Sequence, residues 1–287
     1  MSLADPEKIT RMPSRPAIII PLKGGPLSKS RLGGTAAWRR ALSMAMAEDT
    51  LAAVRAGLPD AAVFVVTLDP ATRAWASSRG AGVVADPGSG LDAASAAGLA
   101  AAEEAGARVR GVLFADHPAL RPREIREALA QARHTPIVVP DHDGEGTALL
   151  AGPGALPTAF GAGSAAAHEA LGHLRVEGSW PGLRLDVDDA TDLERARMLG
   201  VGPATAAALA GYPAAMQATI SVMDDDGSGR ALLDDGREVV VPPESLARSA
   251  LRRLRPGQRV SIELLPLVPL RASRVWIVGI GQGETIR

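Results

Sequence analysis

Short apolar runs alternate with longer alanine-rich stretches along the first half of this chain. The runs are rich in β-branched residues and are closely followed by glycine, proline or aspartate, which favours buried strands. They occupy residues 17–22, 62–67, 82–84, 109–115 and 137–139. The stretches between them predict helices over 36–56, 71–78, 93–105 and 121–133. Strands that alternate with helices are typical of a parallel α/β sheet, so the fold class we predict is α/β.

The chain becomes less regular after residue 140. Residues 147–150 predict a further strand after the loop DHDGEG. Ser164 begins a helical stretch, AAAHEALGHL, and serine is a favourable N-cap. Gly161 and Gly163 leave backbone N–H groups open beside it, which makes a candidate anion site. A last short helix within VGPATAAALAG closes this part of the chain near residue 211.

Two carboxylates lie two residues apart in the stretch LRLDVDDATDL, residues 183–193. Its first half alternates apolar and polar residues, which predicts a strand, and alternate side chains of a strand share one face. Asp186 and Asp188 would then point the same way at the end of that strand, where carboxylates can hold Mg2+. Asp189 or Thr191 can cap the helix that follows. The alternative is that the carboxylates only solvate a turn and cap this helix.

A basic, glycine-containing loop follows the first predicted strand. Its backbone N–H groups can cradle phosphate oxygens, and Lys23, Lys29 and Arg31 supply the positive charge that a triphosphate requires. The spacing G-x-x-x-x-G-K-[ST] is absent, so the loop is not a Walker A motif. The alternative is a solvated basic loop without a ligand.

The chain beyond residue 214 has a different pattern. Apolar and polar residues alternate, and the turn sequences DDDGSG and DDGR separate the runs, which predicts β-hairpins and a five-stranded barrel over 216–283. Trp276 is the only aromatic residue after Tyr212, and acidic and basic residues nearly balance. Since barrels that bind nucleic acid use exposed aromatics and positive charge, we expect this one to serve dimerisation or packing instead.

Composition and the absence of long apolar runs indicate where in the cell the protein is expected. The chain has 287 residues, a net charge of -1 and no cysteine, so it has no basic excess for nucleic acid and no disulfide. The first residues lack the apolar core of a signal peptide, and no run of about eighteen apolar residues occurs. We therefore expect a cytoplasmic protein with no membrane partner, a disordered tail over 1–16 and an α/β domain over 17–211.

Six segments in this order resemble one family. They are IPLKGGPLSKSRL, ADPGSGLDAA, LFADHPAL, GTALL, FGAGSAAAH and SWPGLRLDVDDATDLERARMLGVGPATAAAL. Residues 17 to about 211 resemble the guanylyltransferases of coenzyme F-420 biosynthesis, which share the fold of nucleotide-diphospho-sugar and molybdopterin nucleotidyltransferases. The resemblance implies a Rossmann-like nucleotidyltransferase domain, followed in this chain by a small C-terminal barrel that resembles cold-shock and OB domains.

The resemblance also implies a reaction. Such an enzyme transfers GMP from GTP to phosphoenolpyruvate or 2-phospho-L-lactate with Mg2+, forming enolpyruvyl- or lactyl-diphospho-5'-guanosine and pyrophosphate. We expect a homodimer whose product passes to the next transferase of the pathway. The alternatives are a nucleotidyltransferase that acts on molybdopterin or a sugar phosphate, and a non-catalytic RNA-binding protein that works through the barrel.

The site residues that the resemblance implies fall into four groups. The metal ligands are Asp116 and Asp186. The catalytic residues are these two with Lys23, Lys29 and Arg31. The residues around the phosphorylated acid are Thr147, Gly161 and Ser164. The nucleotide-binding residues are Leu22, Gly24, Lys29, Asp86 and Asp92.

Three positions depart from the family pattern. His117 replaces a leucine, and Asp92 and Ala148 each replace an asparagine. The Asp92 carboxylate can still accept two hydrogen bonds from the N–H donors on the edge of guanine. His168 matches a histidine of the family that either contacts phosphate or is satisfied within its helix.

Overall fold

The computed structural model describes residues 15–23, 29, 32, 36–210, 216–246, 253–265 and 269–277. Residues 1–14 of the predicted tail, Gly24 and Arg31 lie outside the described residues. The chain divides into two compact units, Met1–Leu209 and Ala210–Arg287. Within the described part of the chain, no helix combines the length and apolar character needed to span a membrane.

The first unit contains seven described strands and most of the helices. The strands are β1 (Ala17–Pro21), β2 (Ala62–Val66), β3 (Gly82–Val84), β4 (Val109–Leu113), β5 (Ile137–Pro140), β6 (Thr147–Pro153) and β7 (Leu174–Arg175). The helices are α1 (Ala36–Gly57), α2 (Pro70–Ser78), α3 (Leu91–Glu104), α4 (Pro122–Gln131), α5 (Ser164–Ala170), α6 (Pro181–Arg184), α7 (Ala190–Leu199) and α8 (Pro203–Ala210). The five strands and four helices predicted before residue 140 are therefore present, with ends shifted by two residues or fewer.

The seven strands form one sheet in the order β3-β2-β1-β4-β6-β5-β7. Strand β6 runs antiparallel to both of its neighbours, β4 and β5, whereas the other pairs are parallel. The prediction of a parallel sheet is therefore corrected to a mixed one. The reason lies in the loop between β5 and β6, because residues 141–146 are too few for a crossover and permit only a hairpin.

Strand β1 lies at the centre of the core and is buried along its whole length. Ile18 and Ile20 belong to the apolar cluster on one face of the sheet, and Ile19 belongs to the cluster on the other. Helix α3 packs so closely on the second face that Gly98 has no room for a side chain. A methyl group there would overlap Cγ2 of Ile19 and lie 2.9 Å from Cγ2 of Val66.

The second unit contains a closed barrel of five strands in the order β10-β12-β11-β8-β9. Its elements are β8 (Met216–Met223), β9 (Gly229–Leu233), β10 (Glu238–Val241), the short helix α9 (Pro243–Leu246), β11 (Arg259–Leu265) and β12 (Arg271–Trp276). Antiparallel pairs join β8 to β9 and β9 to β10 through the two predicted turns. The predicted five-stranded barrel is confirmed.

Gly98→Ala is expected to destabilise the protein, although alanine is the better helix former by about 1 kcal/mol. The added methyl group must displace Ile19 or Val66 from a close-packed core, and such overpacking costs about 1–3 kcal/mol. Urea unfolding of the variant and the wild-type protein measures the difference. A more stable variant would show that α3 can move away from the sheet at no cost.

Candidate active site

A cavity of about 670 Å³ opens at the edge of the sheet where β1 and β4 end. In open α/β sheets, ligands bind outside the carboxyl ends of the strands. The cavity is lined by polar side chains near residues 116, 186 and 188, and by small or aromatic side chains at residues 160–164. The residues that line it include Leu22, Lys23, Lys29, Phe114, Asp116, Thr147, Phe160, Gly161, Ser164, Asp186 and Asp188.

Three carboxylates meet at one end of this cavity. Asp116 follows β4, and Asp186 and Asp188 come from the segment between α6 and α7. One oxygen atom from each of the three lies within 4.8 Å of the others. Asp116 and Asp186, the metal ligands that the resemblance implies, are thus neighbours. Asp188 is the third member, which the alternating pattern paired with Asp186 but the resemblance did not assign.

The segment that carries Asp186 and Asp188 is extended but is not the strand that the alternation predicts. Residues 185–188 have no regular secondary structure and belong to no sheet. The Val187 N–H donates to the Asp116 carbonyl at 3.0 Å, and the Asp188 N–H donates to Oδ2 of Asp192 at 3.2 Å. Because Leu185 and Val187 are buried, the alternating pattern still directs the two carboxylates to the same side. Asp189 then caps α7 by accepting from the N–H groups of Thr191 and Asp192.

Lys29 lies among these carboxylates. Its Nζ forms an ion pair with Asp116, and it donates to Oδ1 of Asp188 at 2.7 Å. Burial alone would lower the pKa of the Lys29 amine, but the charges of Asp116 and Asp188 outweigh it and raise that pKa. Burial likewise opposes ionisation of Asp116, yet Lys29 and His117 hold its pKa below the ordinary value. Both groups are therefore charged at neutral pH.

The pKa of Asp186 shifts in the opposite direction from that of Asp116. Burial, followed by the negative charges of Asp116 and Asp188, raises its pKa to about 7. When all three carboxylates are ionised, the Lys29 ammonium leaves a net charge of two negative units. A divalent cation with a preference for oxygen ligands fits that charge and that donor set.

Small side chains and two hydroxyl groups form the opposite wall. Ser164 donates to Thr147 Oγ1 at 3.0 Å, and both residues are buried beside Gly161. The predicted N-cap role of Ser164 is wrong, because Gly163 takes that position with a left-handed φ of 69° and Ser164 is the first residue of α5. The helix has only seven residues, and the serine hydroxyl faces Thr147 rather than the helix end.

The predicted nucleotide-binding residues are divided between the cavity and its surroundings. Leu22 and Lys23 line it, whereas Gly24 and Arg31 lie outside the described residues. Asp86 and Asp92 are absent from the described lining. Asp86 accepts from the Gly88 N–H at 2.8 Å, and Asp92 accepts from the Phe160 N–H at 2.8 Å. Asp92 therefore holds a loop that does line the cavity.

Three histidines lie close to the site. His117 is fully buried behind Asp116, with Nε2 3.9 Å from Asp116 Oδ1. His168 is also buried, and both of its ring nitrogens form hydrogen bonds within the protein. This agrees with the alternative of a satisfied helix histidine. His173 is only 4% exposed, and its Nε2 lies 3.0 Å from the Pro157 carbonyl oxygen.

Comparison with known proteins identifies the family. The profile described as the MobA-like NTP transferase domain matches residues 24–240, more than half of the chain. This chain is a MobA-like NTP transferase. The match covers the described part of the cavity lining from Lys29 onward and extends into the second unit.

Individual relatives of this transferase are similar over most of their own length. The phosphoenolpyruvate guanylyltransferase of Salinispora arenicola is 46% identical over an alignment of 197 residues, and the match covers 66% of this chain and 91% of the relative. The enzyme of the same name from Mycolicibacterium smegmatis is 44% identical over an alignment of 204 residues, and the match covers 68% of this chain and 91% of the relative. A solved nucleotidyl transferase from Methanothermobacter thermautotroptrophicus covers 64% of this chain and 96% of its own, with 18% identity and a TM-score of 0.46.

Asp186→Asn is expected to stabilise the metal-free transferase at alkaline pH. The folded pKa of about 7 lies above the ordinary 3.8. The contribution of neutral Asp186 to the free energy of unfolding is therefore fully present below the ordinary pKa. It is lost as the pH rises through about 7. An uncharged asparagine avoids this loss, and we expect a gain of about 2–4 °C in melting temperature at about pH 8.5.

Melting curves in EDTA at about pH 5.5 and about pH 8.5 measure this gain. The gain should shrink at the lower pH, where Asp186 is already mostly protonated. Asp60→Asn, an exposed carboxylate in the turn before β2, is the control and should change neither curve. An equal gain at both pH values would contradict the assignment of the raised pKa to Asp186.

Proposed function

We propose that this nucleotidyltransferase transfers GMP from GTP to phosphoenolpyruvate, with release of pyrophosphate, and so supplies enolpyruvyl-diphospho-5'-guanosine for coenzyme F-420 biosynthesis. The observation that carries the proposal is the pairing of a three-carboxylate cluster with a hydroxyl-lined wall in one cavity. The relatives named phosphoenolpyruvate guanylyltransferase support this acid over 2-phospho-L-lactate.

The carboxylate end of the cavity suits the triphosphate. Asp116, Asp186 and Asp188 would hold Mg2+, which supplies charge neutralisation and orients phosphate oxygens. Lys23 and Lys29 line the same region, and with Arg31 they would stabilise the negative charge of departing pyrophosphate. Leu22 and Gly24 would contact the nucleotide through the same loop. Lys29 has a left-handed φ of 57°, and strained backbone conformations of this kind cluster at functional sites.

The opposite wall suits the acid substrate. The hydroxyl groups of Thr147 and Ser164 can donate to a phosphate or carboxylate oxygen, and Gly161 leaves space beside them. A phosphate monoester is already anionic at neutral pH, since its second pKa is about 6. The protein therefore needs no general base, and its residues act by positioning the substrate phosphate for in-line attack on the α-phosphorus.

We further propose that residues 17–211 form the catalytic domain and that the barrel over 216–283 serves dimerisation or packing. A homodimer, delivery of the product to the next transferase and a cytoplasmic location remain predictions. A role in RNA binding has no support from the family match, which is to a nucleotidyltransferase domain.

The reaction is tested by incubating the protein with GTP, MgCl2 and either phosphoenolpyruvate or 2-phospho-L-lactate, followed by mass spectrometry. Enolpyruvyl-diphospho-5'-guanosine and pyrophosphate are the expected products. Product formation with a sugar phosphate or molybdopterin, but with neither acid, would overturn the proposal.

Asp116→Asn and Asp186→Asn are each expected to lower kcat by about 100-fold or more in this assay, because each removes a charged ligand from the cluster. Asp60→Asn, whose carboxylate is exposed, is the matched control and should retain activity. Binding of Mn2+, followed by electron paramagnetic resonance, should weaken in the first two variants alone. Near-normal turnover of both at saturating Mg2+ would exclude these residues as metal ligands.

Asp92→Ala tests base recognition. If the Asp92 carboxylate reads guanine, its loss should lower the ratio of kcat/KM for GTP to that for ATP by about tenfold or more. Asp92 is not the N-cap of the helix that carries it, because α3 begins at Leu91 with Gly90 as its N-cap. The remaining alternative is that Asp92 only holds the loop at Phe160. In that case the GTP/ATP ratio stays constant and the KM for phosphoenolpyruvate rises.

A further inference from the structure

His168 lies directly behind the hydroxyl-lined wall of the cavity. It comes from α5, is 0% exposed, and has both ring nitrogens within 2.9 Å of a polar atom. Nε2 faces the backbone N–H of Ala159, and Nδ1 faces the hydroxyl oxygen of Thr147. It does not line the cavity among the described residues, so any effect on a ligand must pass through a neighbour.

The contact with Ala159 decides which nitrogen carries the proton. A backbone N–H can only donate, so Nε2 must present its lone pair. Burial, together with the neighbouring His173, lowers the pKa of His168 to about 4, and the ring is neutral at physiological pH. A neutral imidazole carries one proton, which must then reside on Nδ1.

That tautomer fixes the polarity of the two hydroxyl groups. Because Nδ1 carries a hydrogen, Thr147 can accept from it but cannot donate to it. Thr147 and Ser164 share a single hydrogen bond at 3.0 Å, which uses one of their two hydroxyl hydrogens. The other hydrogen has no acceptor among the described residues, and both side chains line the cavity. With the opposite tautomer, Thr147 could donate to His168 and Ser164 to Thr147, so that neither hydrogen would remain.

Surrounding residues keep the ring in place. Phe160 packs edge-on against it with ring centroids 4.9 Å apart, and His173 does so at 5.7 Å. His173 Nε2 lies 3.0 Å from the carbonyl oxygen of Pro157, to which it can only donate. The loop through Ala159 and Phe160 is therefore tied at several points, so the backbone N–H that selects the tautomer has a defined position.

We propose that His168 is a positioning residue that makes the Thr147–Ser164 hydroxyl pair an obligatory hydrogen-bond donor toward an anionic oxygen of the acid substrate. The inference rests on the proposed function, in which this wall contacts phosphoenolpyruvate. It extends that function from the residues that line the cavity to the buried group that sets their polarity, and it accounts for a buried histidine with no exposed atom.

The tautomer can be measured without substrate. Long-range 1H–15N NMR spectra of the wild-type protein, with five histidines in the chain, distinguish a protonated Nδ1 from a protonated Nε2. Spectra of a His168→Gln variant assign the signals of His168. A protonated Nδ1 between about pH 6 and pH 8 is expected, and a protonated Nε2 would overturn the inference even if the enzyme is active.

Two variants separate the two contacts of the ring. Asparagine places an amide near the Nδ1 position, whereas glutamine places one near the Nε2 position. His168→Gln is therefore expected to keep the contact with Ala159 but to raise the KM and the calorimetric Kd for phosphoenolpyruvate by about fivefold to tenfold. His168→Asn should raise them less, and neither should change the KM for GTP.

The reverse order, with His168→Asn the weaker binder, would show that the ring only holds the loop and would overturn the proposal. His134→Gln is the control, since it changes an exposed histidine just before β5 that does not line the cavity. It should leave the KM for phosphoenolpyruvate within about twofold of wild type.

A double-mutant cycle supplies the remaining test. If His168 acts through Thr147, His168→Gln should cause no further loss of phosphoenolpyruvate affinity in a Thr147→Val background, whereas independent effects would multiply. Full additivity would overturn the proposal.

If His168→Gln does not fold, the wild-type NMR spectra decide whether the proposed tautomer is present, with signals assigned through His168→Asn. A wild-type protein that binds no phosphoenolpyruvate would refute the proposed function but not the tautomer.

Discussion

Repulsion among three carboxylates is the interaction on which the rest of the active site depends. Asp116, Asp186 and Asp188 meet within 4.8 Å at the edge of the sheet, and like charges at that distance destabilise the folded state unless they are neutralised. Lys29 compensates for part of the charge, and burial, together with the charges of Asp116 and Asp188, raises the pKa of Asp186. The three carboxylates thus destabilise one another in the folded state, and a divalent cation bound among them would remove this repulsion.

The surrounding parts of the first unit keep the three carboxylates close together. Asp116 follows a central strand, and Val187 fixes the facing segment through one backbone bond and a fully buried side chain. Helix α6 ends just before that segment and α7 begins just after it. Preorganised charges of this kind lower reaction barriers because they need no rearrangement during the reaction.

The opposite wall of the cavity presents hydroxyl groups that form hydrogen bonds, and not charged side chains. Thr147 begins β6, the only described strand in its sheet that is antiparallel to its neighbours. The β5–β6 hairpin brings its first residue back to the edge where β1 and β4 end. Ser164 and His168 then reach Thr147 from α5. One wall is therefore charged and the other is lined by hydroxyl groups, which suits the two proposed substrates, a triphosphate and a small phosphorylated acid.

The sequence by itself determined the local elements, the five-stranded barrel and the residue types of the site, because hydrophobic period and turn residues act over a few positions. Resemblance to known segments indicated the family. The sequence did not determine that β6 runs antiparallel or that residues 185–188 lie outside the sheet. Only the tertiary structure decided that Lys29 pairs with both Asp116 and Asp188, and that the Ala159 N–H donates to Nε2 of His168. The physical reason is that ion pairs, pKa shifts and tautomers depend on distance and burial between groups remote in sequence, which no local pattern encodes.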